Sequence, residues 1–280
     1  MELPHFLKKF KIRTHLKFFN VVFIFVVALL AILVFPKSVY AAAPAFDNSS
    51  FVSDNAPDAV MSWTHTVNAN TNGILIVGVN LGVNLAISSV TYNTVAMTEV
   101  TGSPVTNGTA EAHLFYLLLP ATGANTVTVT MAGTTRFKEG GATSWTGVDQ
   151  TTPLGTWVEA TGISTTPSVN VISATDEVVV DVMTARFSTT DSNQTATAGA
   201  GQTDRYNVWV GFMTSYKFRG THSSEAGAAT VTMSWTLGLG AFSRDWAIGG
   251  VPLKPVSPPN VYAWAWSENI GWISFNHCDG

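Results

Sequence analysis

Between Ala59 and Lys254 the chain is a succession of short apolar runs, each closed by Gly, Asn, Asp or Thr clusters within ten to fifteen residues. That spacing leaves no room for a helix long enough to organise a core, and it is the signature of many short strands. NTVTVTMA at 125–132 alternates strictly, as a strand with one buried face does. ILIVGVNL from Ile74 and EVVVDVM from Glu177 are nearly continuous apolar runs, suited to strands buried on both faces. The runs place strands at 59–69, 73–81, 87–92, 94–100, 111–119, 125–132, 140–147, 167–174, 177–186, 206–218, 228–237 and 244–253. The expected fold is all-β, a jelly-roll-like sandwich of two sheets.

Three pairs of segments repeat in the same order at nearly one separation. GILIVGVN from Gly73 answers DEVVVDVM from Asp176, an offset of 103; VTVTM from Val127 answers ATVTM from Ala229, an offset of 102; WTGV from Trp145 answers IGGV from Ile248, an offset of 103. The sandwich is therefore expected to consist of two related halves, about 59–150 and 166–254. Each half alone would leave an apolar face in water, so the halves should pack together.

The ends read differently. Residues 8–17 are basic, residues 21–35 are continuously apolar, and Pro36 precedes Ser-Val-Tyr-Ala-Ala-Ala. This is the three-part plan of a secretory signal, with a helical apolar segment too short to favour a permanent span. Val39 and Ala41 set the cut between Ala41 and Ala42, giving a signal at 1–41 and an N-terminal extension at 42–58. Uncleaved, the same segment would tether the domain outside the membrane. Pro252, Pro255, Pro258 and Pro259 end the sandwich at 254 and stiffen a linker at 255–260. Residues 261–280 then alternate aromatic and small side chains around Ser267-Glu268-Asn269, the pattern of a β-hairpin.

AWSENIGWISFN, with Trp266, Ser267, Asn269, Ile270, Gly271, Trp272, Ile273 and Phe275 all in place, resembles an uncharacterised repeat of predicted bacterial surface proteins. Copies in that family are normally followed by more sequence, which implies a chain continuing past Gly280. SWTHTV, ILIVGV, SSVTYNTVAMT, TVTVTM, WTGVDQTTPLG, TAGAGQT, VTMSWTL and WAIGGVPLKP are together similar to an uncharacterised β-sandwich of secreted bacterial proteins. Both resemblances imply a secreted or cell-surface module, and neither carries assigned binding residues.

Charge excludes one class of partner. From Ala42 onward there are 8 basic and 17 acidic residues, a balance of −9, with no basic run to meet a phosphate backbone. Catalytic signatures are missing as well: no G-x-S-x-G, H-E-x-x-H, phosphate-cradling Gly-Lys loop or Cys-x-x-Cys is present. Glu99, Glu111, Glu139, Glu159, Asp181 and Glu225 could supply a glycosidase pair, but solvated strand faces supply such residues anyway. His65 and His113 fall in strands and His222 in a Gly/Ser-rich loop, none with a second ligand close in sequence, so no metal site is expected. Ser53-Asp54-Asn55-Ala56-Pro57-Asp58 could hold calcium through its oxygens, or simply form a turn. Cys278 is the one cysteine and has no motif around it.

Aromatics in or beside loops are the binding candidates. Trp157, Tyr206 and Trp209 could stack on sugar rings. Each competes with a role as a core or inter-sheet plug, most of all Trp209, which sits inside VWVGF. The reading is a non-catalytic exported module for adhesion or glycan binding, its partner an extracellular polysaccharide or another surface protein. A structural spacer and a polysaccharide-processing enzyme are the alternatives.

Overall fold

The computed structural model describes residues 41–188, 194–211, 217–238 and 245–257, with the backbone of 263–267 and 271–275. The expected signal segment before Ala41, linker residues 258–260 and Cys278 lie outside the described residues. The described residues form no helix.

The first half runs through β1 (Ala45–Asp54), β2 (Asp58–Val67), β3 (Ile74–Leu81), β4 (Ile87–Tyr92), β5 (Val95–Ala96), β6 (Thr98–Glu99), β7 (Val105–Asn107), β8 (Ala110–Leu118), β9 (Gly123–Thr135) and β10 (Lys138–Thr146). One sheet has the order β1-β10-β3-β8-β6, with β7 also paired to β8, and the other has the order β2-β9-β4-β5. The strands of these two sheets pair antiparallel. If β5 to β7 are taken as one strand that crosses between sheets, these are the two interlocked sheets of a jelly roll.

The second half repeats it. β11 (Val158–Gly162), β12 (Ser168–Val171), β13 (Val178–Phe187), β14 (Ala196–Ala198), β15 (Thr203–Gly211), β16 (Lys217–Ala226), β17 (Val231–Leu237) and β18 (Trp246–Leu253) form sheets β11-β18-β13-β16-β15 and β12-β17-β14. Position for position this is the order of the first half. The repeat seen in the sequence is a repeat of topology.

Each half closes its own pair of sheets, so the sandwich has four layers and three apolar seams. Met61, Trp63, Leu75, Val77, Val79, Tyr92, Val127 and Val129 fill the first half. Val179, Met183, Phe187, Met233, Trp235 and Ile248 fill the second. Ile74, Ile76, Leu114, Trp145, Val180, Val182, Val251 and Leu253 fill the seam between them. β3 and β13 are buried at every turn of the pleat except Arg186, because they are central strands of the two inner sheets. Their continuous apolar runs follow from that position.

The inner sheets meet through equivalent faces. β1 lies on β15, β10 on β16, β3 on β13, β8 on β18 and β7 on β11. First-to-fifth, eighth-to-sixth and third-to-third contacts are what a two-fold relation between the halves produces. The pleat also corrects the sequence offset. Seam-facing Ile74 and Ile76 correspond to seam-facing Val178 and Val180, one residue beyond the match of strings, since a one-residue slip would turn every side chain to the wrong face.

The strands differ from expectation in several places. Residues 45–54, expected as an extension, are β1 and pair along β10 from Ala45↔Thr146 to Asp54↔Lys138. The single strand expected at 206–218 is the end of β15 and the start of β16, and β16 continues through His222, expected in a loop. The short strands β7, β11 and β14 went unpredicted. Both ends of the domain meet at one place: Ala45 pairs with Thr146, and the Val256 amide donates to the Gly147 carbonyl at 2.8 Å. Beyond it, β19 (Ala263–Ser267) and β20 (Gly271–Phe275) pair as the expected hairpin strands, with Trp266 opposite Trp272 in register.

Candidate binding surface

The three aromatic candidates have three different fates. Tyr206 is buried and faces the seam, where its hydroxyl donates to Asn80 Oδ1 at 2.9 Å and its ring stacks on His222 at 5.5 Å. It fills space that glycines leave open: a Cβ on residue 141 would lie 2.2 Å from the ring, and one on residue 78 would lie 2.3 Å from the hydroxyl. A register shift between Asp204 and Tyr206 helps turn it inward. Tyr206 is therefore a plug between the two jelly rolls and is corrected from the binding set. Trp157 is half-buried in the same seam, its indole against Gly102 and Gly249, with Nε1 donating to Glu159 Oε2 at 3.1 Å. It is a wedge with one wet edge.

Trp209 stands on the surface. Its neighbours Val208 and Val210 are buried while it is 51% exposed, so the pleat of β15 puts the indole on the opposite side from the seam. The residue across from it on β16 is Arg219, and Gly211 pairs with Lys217 one pleat further on. Arg219 donates to the Gln194 carbonyl and to Asn207 Oδ1. Asn207 in turn donates to Asp204 Oδ2 at 2.9 Å and to the Ala196 carbonyl at 2.8 Å. Burial lowers the Arg219 guanidinium from its usual range, while the charges of Glu139 and Asp204 raise it. An exposed indole beside a fixed guanidinium and amide is an arrangement that can stack on a ring and hold its polar substituents. Arg219 and Lys217 escaped sequence reading because the strand boundary fell in the wrong place.

The acids and histidines are spent differently. Of the six carboxylates read as solvated, Asp181 and Glu139 are fully buried and Glu111 nearly so. Asp181 accepts from the Ser223 amide at 2.6 Å, the Ser223 hydroxyl at 3.0 Å and Trp235 Nε1 at 2.7 Å, yet desolvation pushes its pKa up to about 6. Glu99 and Glu111 lie on either side of His113, 2.8 Å from Nδ1 and 3.6 Å from Nε2. Burial opposes protonation of that imidazole, but the two carboxylates outweigh it and raise its pKa.

His65 sits in a one-way chain: Trp63 Nε1 donates to Ser50 Oγ at 3.1 Å, which bonds His65 Nδ1 at 2.8 Å. His65 Nε2 bonds Ser144 Oγ at 3.1 Å, which donates to Asp47 at 2.6 Å. With the Ser144 hydroxyl donating to the Asp47 carboxylate, the chain is complete for a neutral imidazole carrying its proton on Nε2. Desolvation holds His65 at about 4, against the pull of Asp47. His222 is also pushed to about 4 by burial, bonded to the Asp181 carbonyl and to Thr143 Oγ1.

The segment read as a calcium loop surrounds a cation of the chain's own. The buried Lys138 ammonium lies 2.9 Å from Asp58 Oδ1 and 3.3 Å from Asp54 Oδ2, and donates to the carbonyls of Ala56 and Thr135. Among the described residues no group of three or more His, Cys, Asp or Glu is arranged to hold a metal ion. Ala41 and Ala42 precede β1, so a cut between them would leave that strand whole.

Compared with known proteins, the chain matches no family model, no curated protein and no solved structure.

Proposed function

We propose that the chain is an exported, non-catalytic binding module that holds extracellular polysaccharide on the Trp209 face of its second jelly roll. The observation that carries this is Trp209 itself: an indole 51% exposed between two buried valines, with Arg219 across from it and Asn207 one pleat before it. At that exposure the indole adds little to the core. A platform for sugar rings gives the residue a use. The basic, apolar and small-residue order of positions 8–42 supports secretion or display outside the cell, and the WSENIGWISF segment supports a surface setting through its resemblance.

Purified protein beginning at Ala42 tests the reading in a polysaccharide pull-down. Saturable binding that Trp209→Ala abolishes, at unchanged melting temperature, is the expected result. Binding that survives Trp209→Ala moves the site elsewhere and defeats the proposal.

A further inference from the structure

Resting on that reading of the Trp209 face, we infer that its ligand is an acidic polysaccharide whose uronate carboxylates are met by Lys217 and Arg219. The pairing Trp209↔Arg219 and Gly211↔Lys217 puts all four residues on the same side of the β15–β16 ladder. Directly opposed side chains sit about 5 Å apart, and same-face neighbours along a strand about 7 Å apart. That is the scale of one sugar ring and its substituents. The indole and the two cations therefore fall within reach of one or two residues of a glycan.

Gly211 makes the arrangement specific. A Cβ there would lie 2.6 Å from Lys217 Cγ, so the lysine stem lies across the glycine toward the strand that carries Trp209. Arg219 is fixed from behind by Gln194 and Asn207. A guanidinium held in place loses little freedom when it meets a carboxylate.

Charge points the same way. The chain from Ala42 carries 8 basic residues against 17 acidic ones. Lys138 is enclosed by Asp54 and Asp58, Arg186 pairs with Asp245, and Arg205 lies over the Phe46 ring. Lys217 and Arg219 are placed together beside an exposed indole instead. The charges of Glu139 and Asp204 act on Arg219; Glu139 is fully buried, and the Asp204 carboxylate is engaged by the Asn207 amide on the side away from Lys217. A neutral glycan would need the indole and the amide but neither cation.

The test titrates protein from Ala42 with oligogalacturonate, with a neutral β-glucan oligomer of equal length, and with single-stranded oligodeoxynucleotide, by calorimetry at low and high sodium chloride. Oligogalacturonate is expected to bind best, to weaken about tenfold over that salt range, and to lose about tenfold on Lys217→Glu. Trp209→Ala should abolish the binding, and both variants should keep the parent melting temperature. Equal binding of the neutral glucan, indifferent to Lys217→Glu, would overturn the acidic ligand and leave the glycan platform standing. Binding of the oligonucleotide as tight as that of oligogalacturonate would overturn the inference in favour of general polyanion attraction. No binding of any of the three would overturn both readings.

Discussion

Glu139 shows how much a single buried group can set. Its carboxyl is fully buried where β10 faces the second half, neither oxygen makes a well-aligned hydrogen bond among the described residues, and Gly220 leaves room for it: a Cβ there would lie 2.7 Å from Glu139 Oε2. Desolvation raises its pKa well above the usual glutamate value, despite the opposing pull of Arg219 and the Gly220 amide. The folded state thus binds this proton more tightly than the unfolded chain does. Its contribution is fully present below the ordinary glutamate range and is lost as pH rises toward the folded value. Glu139→Gln should melt higher than the parent at pH 8, with the gap closing toward pH 4, in paired thermal scans. His65 and His222 work in the other direction, since stability from their neutral forms is lost as pH falls from 6.5 to about 4. Lys138→Ala should lower the melting temperature by more than about 5 °C, because Asp54 and Asp58 would face each other uncompensated. Adding millimolar calcium should recover part of that loss in the variant and leave the parent unmoved. At this scale the sequence showed which residues were unusual but not where they pointed. VWVGF reads as core because four of its five residues are apolar, yet alternate positions on an edge strand face opposite ways. Tyr206 and Trp209, three residues apart and both read as binding candidates, face opposite ways for that reason.

Strands buried on both faces were the most legible elements. β3 and β13 announce themselves because nearly every position is buried and most carry an apolar residue, and β4 falls on the residues expected. β1 was hidden for the opposite reason. It is an edge strand, AFDNSSFVSD, whose polar residues serve hydrogen bonds such as Asn48 to the Thr66 carbonyl and Ser53 to the Trp209 carbonyl. β16 was hidden by small residues, since KFRGTHSSEA uses Gly220 and Ser223 where opposing side chains come close. Small residues in strands here mark contact between sheets, and they should not tolerate growth. Gly141→Val would drive two methyl groups into the Tyr206 ring and cost about 3 kcal/mol or more, read as a lower denaturation midpoint. Gly123→Ala, where a Cβ meets nothing within 4 Å but φ is +88°, should cost about 1 kcal/mol through backbone strain alone.

Residues 45–256 form two jelly rolls that share a largely apolar seam. Ile76, Val180 and Val182 are fully buried only because the halves are together. Calorimetry of protein from Ala42 should accordingly give one cooperative transition, and Val180→Asp should move that whole transition down by about 10 °C or more. Two separate transitions would show that the halves unfold independently. That two halves exist was legible in the sequence; that each carries its own pair of sheets was not, because the apolar periodicity of a strand does not name its partner. The meeting of Ala45 and Val256 beside Thr146 and Gly147 bears on how such a body would sit in a longer filament. A link whose entry and exit coincide adds almost no length, and tension passing along the filament would cross only the short stretch between them. The four layers would hang to one side like a charm on a chain, with the β15–β16 face carried off the line of force and free to meet what lies around it.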